Sequence, residues 1–220
     1  MARARLPVFF TIAWLSVQLA GCMRCLHPLP VERRPDIPCA CSAHRQNVHV
    51  FLVHGLDPLD YANLEGIREH LQQIGYSDSH VYQFHEGPQL AAAVITCREQ
   101  HPTEPIALVG FSVGCLTTRK VANLVHDEAQ VDVDLLFYMG GWFFRDETQS
   151  RPPFVPRVVH VLGTGCDTVG VPLPEADNIK VESRHFGSPT NPAVLRRLEG
   201  ELQILTSCPV RLNAPRCAER

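Results

Sequence analysis

A chain of 220 residues with 45% hydrophobic and 20% charged content is long enough for one well-packed domain and too apolar to stay disordered. Its formal charge of -3 offers no basic surface for nucleic acid. No repeat or low-complexity tract interrupts it. Prolines cluster from Pro28 to Pro38 and from Pro152 to Pro156, which marks irregular connections.

The N-terminus has the three parts of an export signal. Arg3 and Arg5 are basic, Leu6 to Leu19 is an uncharged apolar run too short to span a bilayer comfortably, and Leu19-Ala20-Gly21-Cys22 follows. That last quartet resembles the lipobox of bacterial lipoproteins. The resemblance implies residues 1–21 as a cleaved signal peptide and diacylglycerol on the Cys22 sulfur. It implies a protein of the cell envelope held at a membrane by lipid, because buried methylenes contribute about 0.8 kcal/mol each. Residues 22–47, rich in proline and without an apolar period, read as a tether.

Nine cysteines are many for this length. Export permits disulfides. Cys25, Cys39, Cys41, Cys208 and Cys217 lie in the tails, where bridges are plausible, with the connectivity left open. Cys97, Cys115 and Cys166 fall inside the body and read as small buried thiols. A zinc site from Cys25, His27, Cys39 and Cys41 matches no familiar ligand spacing. No metal centre and no cofactor are expected.

From Val48 onward strand and helix alternate. Strands are expected at Val48–Val53, His80–Phe84, Ile106–Phe111, Val133–Met139, Arg157–Leu162 and Ile179–Ser183. A helix is expected at Tyr61–Ile74, where Leu64, Ile67, Leu71 and Ile74 share a face and Gly75 stops the run. Leu90, Val94 and Cys97 mark a second helix and Cys115 to Val125 a third. The last has Asn191 as N-cap, Pro192 in its first turn, and a stripe of Val194, Leu195, Leu198, Leu202 and Leu205. This alternation predicts an α/β protein with a mostly parallel sheet covered on both faces. Residues 48–206 form the folded domain and 207–220 a C-terminal tail.

Gly110-Phe111-Ser112-Val113-Gly114 stands where a buried strand hands over to a helix. Such a turn holds a serine in a strained conformation with its hydroxyl exposed, while Gly110 and Gly114 leave room for strand and helix. With His54-Gly55-Leu56 after the first strand, and Asp167 then His185 after late strands, the chain resembles an α/β-hydrolase over roughly Val48 to Leu205. The family's first two antiparallel strands are missing or cut short, so the resemblance implies a minimal α/β-hydrolase fold without a lid, similar to small esterases and lipases.

Each part has a chemical task. Ser112 is a weak nucleophile that needs a base, and His185 occupies the base position in the order nucleophile, acid, histidine. Asp167 would fix the tautomer of His185, with Asp177 and Asp146 as other acids. By resemblance, the backbone N–H groups of Leu56 and Val113 form the oxyanion hole, and His54 packs beneath that loop. Trp142, Phe143, Phe144, Pro153 and Phe154 could line an acyl groove or simply pack. The implied activity is hydrolysis of carboxylic esters through an acyl-serine intermediate, with a small ester or acyl compound as substrate. Two alternatives stay open: a catalytically silent envelope scaffold, and acyl transfer to a non-water acceptor.

Overall fold

In a computed structural model of the chain, the described residues are 42–141, 151–165 and 171–207. Six strands build one sheet: β1 (His49–Val53), β2 (Ser79–Tyr82), β3 (Ile106–Phe111), β4 (Leu135–Met139), β5 (Arg157–Gly163) and β6 (Asp177–Val181). Their order is β2-β1-β3-β4-β5-β6, and every neighbouring pair is parallel. The helices are α1 (Ser42–Arg45), α2 (Leu64–Gln73), α3 (Gly87–Gln100), α4 (Gly114–Ala129) and α5 (Pro192–Ser207).

The strands are near-continuous runs of apolar residues because both faces of the sheet are covered. Successive side chains point to opposite faces, so one sheet supplies two cores. Val50, Leu52, Val109, Phe111 and Phe137 pack against α2 and α5, through Leu64, Ile67, Leu71, Val194 and Leu198. Phe51, Val53, Leu108, Leu136 and Tyr138 pack against α3 and α4, through Leu90, Val94, Val121 and Val125.

Several element ends differ from expectation for local reasons. α2 begins at Leu64 rather than Tyr61 because two aspartates capture the preceding backbone. Asp57 accepts from the N–H groups of Tyr61 and Ala62, and Asp60 accepts from Leu64 N–H. Helix α4 runs four residues past Val125 and stops at Gln130, which adopts a left-handed conformation (φ 54°). Strand β6 sits two residues earlier than expected, and the chain after Val181 is then free to carry His185 toward the site. Asn191 caps α5, its Oδ1 accepting from Ala193 N–H at 2.9 Å.

Part of the expected tether packs on the domain. Arg45 is buried, donates to the Ile74 carbonyl at 2.8 Å, and lies 5.7 Å from the centre of the Tyr76 ring. Cys22, the signal segment, the rest of the tether and the tail beyond Ser207 lie outside the described residues. Among the described residues no helix is long and apolar enough to cross a membrane.

The N-terminal edge of the sheet carries charge. Burial alone would push the buried His49 down, but its hydrogen bonds to Asp78, Cys97 and Glu104 outweigh it and raise the imidazole to about 10. His160, at the middle of β5, shows the opposite case. It is fully buried, and desolvation lowers it to about 4 against a smaller opposing contribution from Asn178.

Candidate active site

Ser112 lies in the turn between β3 and α4 with φ 53°, a left-handed conformation rarely adopted by a residue with a side chain. Neighbours hold it there. Its N–H donates to the Met139 carbonyl at 2.9 Å, and its own carbonyl accepts from Cys115 N–H at 3.0 Å. The glycines around it are required by close approach. A Cβ at Gly114 would sit 2.3 Å from the Val53 carbonyl oxygen, and one at Gly110 would sit 2.7 Å from Cys115 Cα. Cys115 is buried beneath the turn, its Sγ 3.2 Å from the Gly110 carbonyl, and burial pushes its thiol up.

His185 reaches the site from the connection between β6 and α5. Its Nε2 lies 3.0 Å from Ser112 Oγ, which is hydrogen-bonding distance. The ring is seated between Phe111, at 4.9 Å between centroids, and Phe186, at 5.3 Å edge to face. Ser188 Oγ donates to the His185 carbonyl at 2.9 Å and tightens the turn that carries the ring. Gly140 closes the third side: it has φ 60°, and a Cβ there would stand 3.1 Å from His185 Nδ1.

The loop after β1 passes directly over the serine. A Cβ at Gly55 would fall 2.7 Å from Ser112 Cβ, so only glycine fits this crossing. Leu56 follows with its side chain turned to solvent, while Val113 opens the first turn of α4. The positive end of the α4 dipole, at Val113, favours an anion there. The loop is fixed by Asp57, buried and accepting the two backbone bonds described above. His54 is buried beneath it, its N–H on the Tyr82 carbonyl and its Nε2 3.8 Å from Asp60. Both neighbouring carboxylates accept backbone N–H groups, so the trio supports the loop.

Of the three candidate acids, Asp167 and Asp146 lie outside the described residues. Thr164 N–H donates to Val181 at 3.0 Å and Gly165 N–H to Ser183 at 3.1 Å, which lays the end of β5 beside the connection to His185. Asp177 is at the other end of the sheet. It pairs in register with Val159 near the start of β5 and forms an ion pair with Arg197.

An open groove of about 550 Å³ starts at Val113. One wall is α4, through Leu116, Val121 and Leu124. The other is the connection after β2 and the start of α3, through Phe84 and Pro88. Thr117 Oγ1 donates to the Phe84 carbonyl at 2.7 Å and ties the walls together. Of the aromatic cluster that could line a groove or simply pack, the described Phe154 packs. Phe154 stacks flat on His126 at 3.9 Å, at the far end of α4. Trp142, Phe143 and Phe144 lie outside the described residues. The sequence signal for this groove was weak: positions 113, 116, 117, 120, 121 and 124 recur at helical spacing, and Leu124 is left exposed.

A parallel sheet of this order, covered on both faces and turning sharply at a strained serine after its central strand, is an α/β-hydrolase fold in a minimal form. The sequence matches no family model and no curated protein. Solved structures do match it. The lin2722 gene product of Listeria innocua superposes with a TM-score of 0.52 at 12% identity, over 70% of this chain and 93% of its own. A proposed YdeN-like hydrolase of Pectobacterium atrosepticum superposes with a TM-score of 0.50 at 15% identity, over 74% of this chain and 95% of its own. A proposed hydrolase of the alpha/beta superfamily from Xanthomonas campestris covers 72% of this chain and 98% of its own at 16% identity, with a TM-score of 0.48.

Proposed function

We propose that the chain is a serine hydrolase that cleaves carboxylic esters through an acyl-serine intermediate. The observation that carries this reading is the 3.0 Å contact between His185 Nε2 and the oxygen of a serine held at φ 53°. Strain of this kind costs about 1–3 kcal/mol and persists where the surroundings over-determine it, as they do at functional sites.

In this mechanism His185 accepts the Ser112 proton as Oγ attacks the ester carbonyl, then returns it to the leaving alkoxide. Water, activated by the same imidazole, releases the acid in the second half. The N–H groups of Leu56 and Val113 receive the negative charge that develops on the carbonyl oxygen. Asp167 orients His185 and stabilises its charged form, a role supported by chain order and by the direction of the strand that precedes it. The acyl chain lies in the groove that starts at Val113, whose wall residues Phe84, Leu116 and Leu124 present apolar surface. Residues 48–206 carry this activity, and lipid on Cys22 holds it at a membrane of the cell envelope.

The test is labelling of the full chain by a serine-directed fluorophosphonate, followed by turnover of esters of graded acyl length. Wild type should label at Ser112 and hydrolyse esters. Ser112→Ala should lose the label, and both Ser112→Ala and His185→Ala should lose turnover by about 10⁴-fold or more. A folded wild type that stays unlabelled, or a Ser112→Ala protein labelled equally, would overturn the reading.

A further inference from the structure

The sheet edge opposite Ser112 holds a second constellation of side chains. His49 opens β1, Asp78 precedes β2, His101 follows α3, and Glu104 precedes β3. They share a cavity of about 760 Å³ with His80 and Cys97. His49 Nε2 lies 2.8 Å from Glu104 Oε2, and His101 Nδ1 lies 3.1 Å from the same oxygen. The three atoms all fall within 4.8 Å of one another. The two imidazole rings are 4.6 Å apart and tilted by 42°, each with one nitrogen on the same Glu104 oxygen. The other nitrogen of His49 is hydrogen-bonded to Asp78, which also accepts from His80 Nε2 at 2.6 Å.

We propose that His49 Nε2, His101 Nδ1 and Glu104 Oε2 bind a divalent transition-metal ion of the zinc type, with Asp78 orienting His49. Two imidazoles and a carboxylate, with a fourth position open to water, form a zinc-type donor set. Bonds of about 2.0–2.1 Å in a tetrahedral arrangement place the ligand atoms about 3.3 Å apart. The observed 2.8 and 3.1 Å need to open by only a few tenths of an ångström. The side chains able to give are His101, 42% exposed, and Glu104, 28% exposed, while His49 is fixed by burial. A carboxylate on the far nitrogen of a ligating histidine is the usual second partner, since it sets the tautomer and the ring orientation. Two imidazole nitrogens converge on a single Glu104 oxygen. Ligation requires His49 to give up its Nε2 proton, so binding should release a proton and weaken as pH falls.

The ion would clamp β1, the end of α3 and the approach to β3. It stands a strand length from Ser112, on the order of 15–20 Å for a five- or six-residue strand, so it would stabilise the sheet edge rather than take part in chemistry. The inference is independent of whether Ser112 is a nucleophile.

The experiment uses the full chain carrying Cys25→Ser, Cys39→Ser and Cys41→Ser, so that thiols near the N-terminus do not contribute. After chelation, Zn²⁺ is titrated against a chromophoric competitor, and Co²⁺ is added separately to read the ligand field. A single equivalent should bind, and Zn²⁺ should raise Tm. His101→Ala and Glu104→Gln should each weaken binding at least tenfold and abolish the Tm rise. Asp78→Asn should weaken it about 10–100-fold. His126→Ala, whose ring pairs with Asp132 elsewhere, should bind as wild type does. Equal binding by the parent and a folded His101→Ala, Glu104→Gln double variant, or no binding by the parent, overturns the proposal.

Discussion

Replacing His160 by leucine should remove a defined part of the acid sensitivity of the fold. His160 is fully exposed to water when unfolded and has no exposure when folded, where burial lowers it to about 4 from an ordinary 6.5. A folded pKa below the unfolded value means that the unfolded chain binds the extra proton between these two limits. Stability is therefore complete above about pH 6.5 and is lost as pH falls toward 4. The shift of about 2.5 units, at 1.36 kcal/mol each, corresponds to roughly 3 kcal/mol across that window. Leucine keeps an apolar side chain against Tyr138, whose ring meets His160 edge to face. Urea unfolding followed by circular dichroism at pH 7.5, 6.5, 5.5 and 4.5 measures both proteins. The difference between wild type and His160→Leu should move by about 2.5 kcal/mol against wild type between the first and last pH. Parallel curves for the two proteins would refute the reasoning, because they would show that His160 protonates equally in both states.

Two further outcomes follow from the site. Gly140→Ala places a methyl group 3.1 Å from His185 Nδ1 on a backbone with φ 60°. It should cost about 1–2 kcal/mol of stability and lower kcat by tenfold or more with KM little changed, since misplacing a reacting group by about 1 Å can cost 10²-fold. An unchanged kcat in the folded variant would show that this glycine does not seat the base. Leu124→Glu puts a charge at the distal end of the groove, eleven residues and about 16 Å along α4 from Val113. Long-chain ester turnover should fall about tenfold in kcat/KM while acetyl and butyryl esters are unaffected. An equal loss on every ester would place the acyl chain elsewhere.

The strand positions were readable because fully buried parallel strands are continuous apolar runs bounded by polar turns, as Ile106-Ala107-Leu108-Val109 is. The Ser112 turn was readable because close backbone approach admits only glycine at positions 110 and 114. His185 was found by chain order, although nothing local distinguishes it from ten other histidines. The groove was not readable, since its walls come from α4 and from the connection after β2 with the start of α3, which meet only in three dimensions. The same holds at the opposite edge. His49, His101 and Glu104 are separated along the chain by a strand, two helices and a second strand. Their convergence depends on the parallel register that brings the starts of β1 and β3 together, where His49 pairs with Ile106.

That parallel register also explains why the strained serine survives. A left-handed serine costs about 1–3 kcal/mol wherever it can relax. Here relaxation would have to break the bond from Ser112 N–H to Met139 on β4 and the bond from Cys115 N–H to Ser112. It would also push the turn into Gly55 on one side or Val53 on the other, both already at contact distances that exclude a methyl group. Strands β1, β3 and β4 are packed side by side and buried on both faces, so none can yield alone. The position of Ser112 Oγ is therefore set by the middle of the sheet, whereas His185 is set by a surface connection and its aromatic neighbours. Perturbations near His185 should accordingly reduce turnover at modest cost in stability, and perturbations at Gly55 or Gly114 should lower both together.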